Sequence, residues 1–133
     1  MIAVMRVRRP TAAAGLAVLL ISSGVLHFAA PAPFDTIVPE QLPGAARTWT
    51  HLSGAAELVT AALIATPRTQ RLGGLLAAVL FVAVFPANVK MAIDWSDRSP
   101  WMRVLAYGRL PLQVPLVLWA LFVYHRDAVR PGP

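Results

Sequence analysis

Tyr107-Gly108-Arg109-Leu110-Pro111-Leu112-Gln113-Val114-Pro115 lies near the start of the last long apolar run of the chain. Residues four apart share one face of a helix, so a helix here carries Arg109 and Gln113 side by side. A run of roughly 20 apolar residues is long enough to cross a bilayer, and an arginine at that depth turns toward the bundle interior or a water-filled cavity and needs a partner. The one acid inside any other apolar run is Glu57. The fold class this predicts is all-α: an antiparallel four-helix transmembrane bundle assembled around Glu57 and Arg109.

Composition agrees. Of 133 residues, 57% are hydrophobic and 14% charged, and the mean hydropathy is +0.61. Such a chain is too apolar and too poor in charge for an ordinary soluble domain. The net charge of +6 does not point to nucleic acid, because the basic residues sit at the edges of apolar runs rather than in a patch with interleaved aromatics. There is no cysteine, which excludes a disulfide, a thiol relay or a thiolate metal site within the chain. Any redox chemistry then needs a bound cofactor or a partner. The three histidines are too scattered for a metal motif.

Residues 1–10 form a basic cytoplasmic N-terminus, 11–125 a single four-span membrane domain and 126–133 a cytoplasmic tail. The first span follows Arg6, Arg8 and Arg9 and ends near Ala30. A cleaved signal peptide is the rival for this segment, since Ala29-Ala30-Pro31-Ala32-Pro33 loosely resembles a small-residue cleavage site. Proline beside either plausible cut, and an apolar run longer than a signal core, count against it. The second span covers Trp49 to Thr66, the third Leu72 to Ile93 and the fourth Val104 to Tyr124. Pro86 should bend the third span, because it removes a backbone hydrogen bond. Between spans one and two, Pro31, Pro33, Pro39 and Pro43 forbid a long helix, while Phe34, Ile37, Val38 and Leu42 argue against free solvation. That segment is a candidate lid over the bundle mouth, or a surface connection with a few packed side chains.

Basic residues set the orientation. Arg6, Arg8, Arg9, Arg68, Arg71, Arg126 and Arg130 flank one side, and the opposite loops mix Arg47, Arg98 and Arg103 with Asp35, Glu40, Asp94 and Asp97. Both termini are expected to be cytoplasmic, in a multi-pass protein of the inner (plasma) membrane, with Trp49, Trp95 and Trp101 in an outer aromatic belt. At 1.5 Å per residue Glu57 is about 10 Å below an entry near Trp49 and Arg109 about 9 Å below Arg103. His27, Asn88 and Lys90 fall near the outer ends of spans one and three. A polar pocket opening outward is therefore predicted from His27, Glu57, Asn88 and Arg109, with Gln113 at its floor.

Each member also has a plainer reading. Glu57 and Arg109 can be a structural ion pair that fixes helix register. Asn88 can cap the carbonyl freed by Pro86, and Lys90 can snorkel to the interface. His27 is a proton carrier or a packed hydrogen-bonding residue; with His51 it makes only a weak haem-ligand pair. Trp119 and Tyr124 read as lipid-facing or interfacial.

Several local motifs occur together in a fixed order. They are Gly24-Val25-Leu26-His27-Phe28 with Pro31 and Phe34, Val38-Pro39 and Leu42-Pro43, and Ser53-Gly54 with Glu57-Leu58. Phe85-Pro86-Ala87-Asn88-Val89 with Met91-Ala92, and Arg109-Leu110-Pro111-Leu112-Gln113, complete the set. In this order and spacing, from Gly15 to Tyr124, the chain resembles the DoxX-like family of small four-helix membrane proteins. The resemblance implies an accessory membrane subunit, because members of the wider family are linked to thiosulfate:quinone oxidoreductase, methylamine utilisation, oxidative-stress membrane complexes and receptor assembly. It implies no transferable catalytic residue, and no cofactor within the chain beyond a bound quinone. The expected partners are the lipid bilayer and membrane or extracytoplasmic redox proteins, with self-association left open and nucleic acid excluded.

Three function classes follow. The first is a redox-accessory subunit whose pocket takes a small amphiphile such as a quinone headgroup, with Arg109, Gln113 or His27 as donor to its carbonyl. The second is a structural or assembly protein in which Glu57 and Arg109 only hold helices together. A small-solute transporter is the third, disfavoured because one polar cluster without deeper acids offers no continuous path. No catalytic constellation marks an enzyme.

Overall fold

Proline marks most of the helix boundaries in this chain. The computed structural model describes residues 9–125. Arg6, Arg8, Arg126 and Arg130, with the 126–133 tail and most of the basic N-terminus, lie outside the described residues. α1 (Arg9–Ala29) stops before Pro31, and the one-turn α2 (Ala32–Asp35) follows it. α3 (Ala46–Ala65) ends before Pro67. α4 (Gln70–Ala83) gives way at Val84 to α5 (Phe85–Asp94), and α6 (Pro100–Tyr124) is the last helix. Pro86 and Pro100 occupy first-turn positions of α5 and α6, where the missing N–H leaves nothing unbonded. The bend expected at Pro86 takes the form of this change from α4 to α5. Pro111 and Pro115 lie inside α6, which continues through them. The described residues contain helices and no strand.

Among the described residues three stretches are long and apolar enough to cross a membrane: Thr11–Ala29, Gln70–Asp94 and Pro100–Tyr124. α3 has the length, 20 residues, but is not among them. Thr48, Thr50, His51, Ser53, Glu57 and Thr60 lower its hydropathy. Those polar groups are not simply turned to the outside: Thr50, Glu57 and Thr60 are buried, while Leu52 and Val59 on the same helix are exposed. The other helices share this inverted arrangement, with Val18, Val79 and Leu118 exposed and Asn88 and Gln113 buried.

α1 packs on α3, α3 on α4, α4 on α6, and α6 returns to α1. An apolar core fills the space among them: Ala13, Leu16, Ala17 and Leu20 from α1 meet Ala61 and Ile64, with Ala77, Ala78, Phe81, Ala120 and Val123 closing the cluster. Small residues let the backbones approach. A Cβ built on Gly74 would stand 2.6 Å from the Tyr124 amide nitrogen and 3.0 Å from the Ala120 carbonyl oxygen. One built on Gly54 would stand 2.7 Å from His27 Cβ. Trp119 is not simply lipid-facing. Its indole Nε1 donates to the Ala12 carbonyl at 2.8 Å, because a half-buried indole N–H needs an acceptor. Tyr124 likewise lies beneath the Arg71 guanidinium, 4.9 Å from ring centroid to Cζ.

Candidate functional site

The polar residues gather away from that core, near the end of α1, the first half of α3, α5 and the first half of α6. Ser23 and His27, four apart on α1, face α3 together. Ser23 Oγ donates to Glu57 Oε1 at 3.0 Å. His27 Nδ1 lies 2.7 Å from the Ser23 carbonyl oxygen and 3.2 Å from Glu57 Oε2. The close approach at Gly54, which leaves room for His27 Cβ, is what brings this ring against α3. His27 and Glu57 are each 9% exposed.

Across the gap, Asn88 Nδ2 on α5 donates to Gln113 Oε1 on α6 at 3.3 Å. Asn88 therefore serves Gln113 rather than the carbonyl near Pro86. Gln113 Nε2 is buried without a hydrogen-bond partner, as is Glu57 Oε2. Arg109, half-buried on α6, directs Nη1 to the sulfur of Met91 at 3.5 Å. Lys90 reaches one turn on toward the end of α5, where it pairs with Asp94.

These groups surround a cavity of about 100 Å³ whose polar wall is Ser23, His27, Glu57, Asn88 and Arg109, with Thr50 and Ser53 beside them. Ile37, Val38, Val84 and Ala87 supply its apolar wall. A space of this size suits a few water molecules or one small headgroup, well below the roughly 300 Å³ at which drug-sized pockets begin. The sequence reading put His27, Glu57, Asn88, Arg109 and Gln113 in one pocket. Four of the five line the cavity, and Gln113 stands behind Asn88. The direct Glu57–Arg109 ion pair of that reading does not form. Glu57 has the His27 ring beside it instead, and Arg109 makes no ion pair among the described residues. His27 lies against Glu57 because α1 and α3 are in close contact, and the guanidinium lines the same cavity without direct contact with the carboxylate.

The proline-rich segment covers this cavity. Phe34 of α2 stacks on the His27 ring at 3.8 Å between centroids. Ile37 is buried with Met91 and Ala106. Asp35 pins the segment to α3: Thr50 Oγ1 donates to Oδ1 at 2.6 Å and Arg47 Nε to Oδ2 at 2.8 Å. The Thr50 hydroxyl, with Arg47 beside it, holds the Asp35 carboxyl below the usual carboxylate range. Trp49 Nε1 adds a bond to the Pro43 carbonyl at 2.7 Å. His51 stacks on Phe28 at 5.0 Å.

Sequence reasoning passed over Ser23, Phe34 and the Asp35–Thr50 tether as site components. The four-residue spacing of Ser23 and His27 was the available signal for the first. The tether joins two helices across a loop and leaves no periodic trace.

The class this defines is an all-helical protein with helices able to cross a membrane, apolar on its outer surface and polar around an internal cavity. Within that class the chain belongs to the family described as a domain of unknown function (DUF8561), whose model matches residues 16–124. No curated protein matches the chain, and no solved structure does.

Proposed function

We propose that this chain is a multi-pass protein of the inner membrane, of DoxX-like type, in which α1, α3, the α4–α5 stretch and α6 cross the bilayer as an antiparallel four-helix bundle with both termini cytoplasmic. The inverted polarity of α3 supports counting it as a span: Glu57, Thr50 and Thr60 are sheltered by neighbouring helices while Leu52 and Val59 face out. Residues that look polar along the sequence then meet no lipid. The motif order from Gly24 to Gln113 supports the DoxX-like assignment.

In this reading the protein is an accessory subunit of a quinone-linked or oxidative-stress redox complex, and its cavity holds the headgroup of a membrane amphiphile. The observation that carries the reading is Arg109: a half-buried guanidinium on the cavity wall, bonded to a thioether sulfur and to no acid. A guanidinium has five N–H donors and a sulfur is a weak acceptor, so most of its capacity is unspent. An oxygen on a bound headgroup would complete it. The test is a titration of the protein in lipid nanodiscs with a short-tailed benzoquinone, followed by tryptophan quenching. Arg109→Met, which keeps the stem and its packing, should fold normally and bind about tenfold more weakly, as removal of one charged hydrogen bond implies. Equal binding by wild type and Arg109→Met would discard the reading.

A further inference from the structure

The wall opposite Arg109 has the reverse chemistry. His27 Nδ1 lies 2.7 Å from a backbone carbonyl oxygen, that of Ser23. A carbonyl only accepts, so Nδ1 carries a hydrogen whatever the state of the neighbouring carboxyl. In the neutral imidazole the other nitrogen, Nε2, then presents a bare lone pair. The two sealed, unpartnered polar side-chain atoms among the described residues are Glu57 Oε2 and Gln113 Nε2. His27 Nε2 is not one of them, so it retains an opening although the residue as a whole is 9% exposed, and His27 lines the cavity. Phe34 stacks on one face of the ring and leaves its edge as the approach. One wall of the cavity thus offers an acceptor and the facing wall a cationic donor.

We propose that the cavity selects a hydroxyl-bearing amphiphile, whose O–H donates to His27 Nε2 while a lone pair of the ligand accepts from Arg109. This rests on the headgroup reading above and narrows its ligand class. A ketone or an ether satisfies Arg109 and leaves Nε2 unpaired; a hydroxyl satisfies both walls. The Ser23 carbonyl holds the ring in the required tautomer, and Glu57, whose Oε2 stands 3.2 Å from the same nitrogen, is a positioning residue through its charge. No bond between heavy atoms changes, and the proton stays shared between the ligand oxygen and Nε2.

The probes are 4-hexylphenol and 4-hexylanisole, which differ only by methylation of the hydroxyl. Each is titrated into the full chain in phosphatidylcholine nanodiscs, with empty nanodiscs as the partition baseline. Wild type should bind the phenol about tenfold more tightly than the anisole, the worth of one buried hydrogen bond. His27→Phe keeps a flat ring under Phe34, and should bring the phenol down to the affinity of the anisole without changing the latter. Equal affinities in wild type would overturn the hydroxyl selection and leave the headgroup site standing. Saturable binding of neither probe would overturn both. The imidazole ¹⁵N spectrum of wild-type protein needs no variant: a protonated Nδ1 and bare Nε2 on His27 are expected, and the opposite tautomer would overturn the proposal.

Discussion

The same helices build two unlike regions. Around Leu16, Leu20, Ile64 and Val123, which are at most 1% exposed, alanines and glycines let backbones touch within an apolar cluster. Around His27, Glu57, Asn88 and Arg109, where α1 and α3 still touch at Gly54, polar side chains line a cavity. Lipid tails are as apolar as leucine, so hydrophobicity alone does not decide which face of such a helix turns inward. Small residues make the decision in the first region and hydrogen bonding makes it in the second. The first region is therefore sensitive to volume and the second to the loss of a donor or acceptor.

Substitutions can break that contrast in order of expected effect. Gly74→Val inserts a branched side chain where even a Cβ meets backbone atoms of α6 at 2.6 and 3.0 Å. Backbone cannot rotate aside, so a loss of about 3 kcal/mol is expected, the upper range for overpacking. Reversible unfolding in mixed micelles measures it, and a change under 1 kcal/mol would deny that small residues set the helix spacing. Asn88→Ala removes the donor to Gln113 and should cost about 1 kcal/mol while leaving the packed region intact. Equal loss of protection in α4 and α5 by hydrogen exchange would mean that the two regions are not separable.

The smallest effect concerns the segment over the cavity. The folded Asp35 carboxyl is depressed by Thr50 and then Arg47, so its tether is fully present above the ordinary carboxylate pKa. It is lost as pH falls through the lower, folded value. Protection of residues 31–45, relative to α1, should decline over that acidic window and not between pH 8 and 6. Asp35→Asn should remove the pH dependence, and its persistence would assign the anchoring elsewhere.

Much of the site was legible because an ionisable residue in an apolar run has few places to go. Glu57 and Arg109 could be assigned to one pocket on that ground, and Pro86 to a break in the third apolar stretch. The partner of Glu57 was not legible. Depth along a helix orders residues to within a turn, whereas the choice between His27 and Arg109 depends on side-chain reach and on how closely α1 approaches α3. The partner of Trp119 was not legible for a related reason. Indoles favour the membrane interface in general, but this one sits where an α1 carbonyl is within reach of its N–H. The candidate lid was recognisable from its prolines and apolar residues, yet the ring that Phe34 would cover was not.

Val84 is both the residue at which α4 gives way to α5 and part of the cavity wall. The angle between those two helices and the room inside the cavity are thereby one degree of freedom. A side chain of different size at Val84 therefore acts on both at once, whereas the glycine-lined contacts of α4 lie on the far side of that joint.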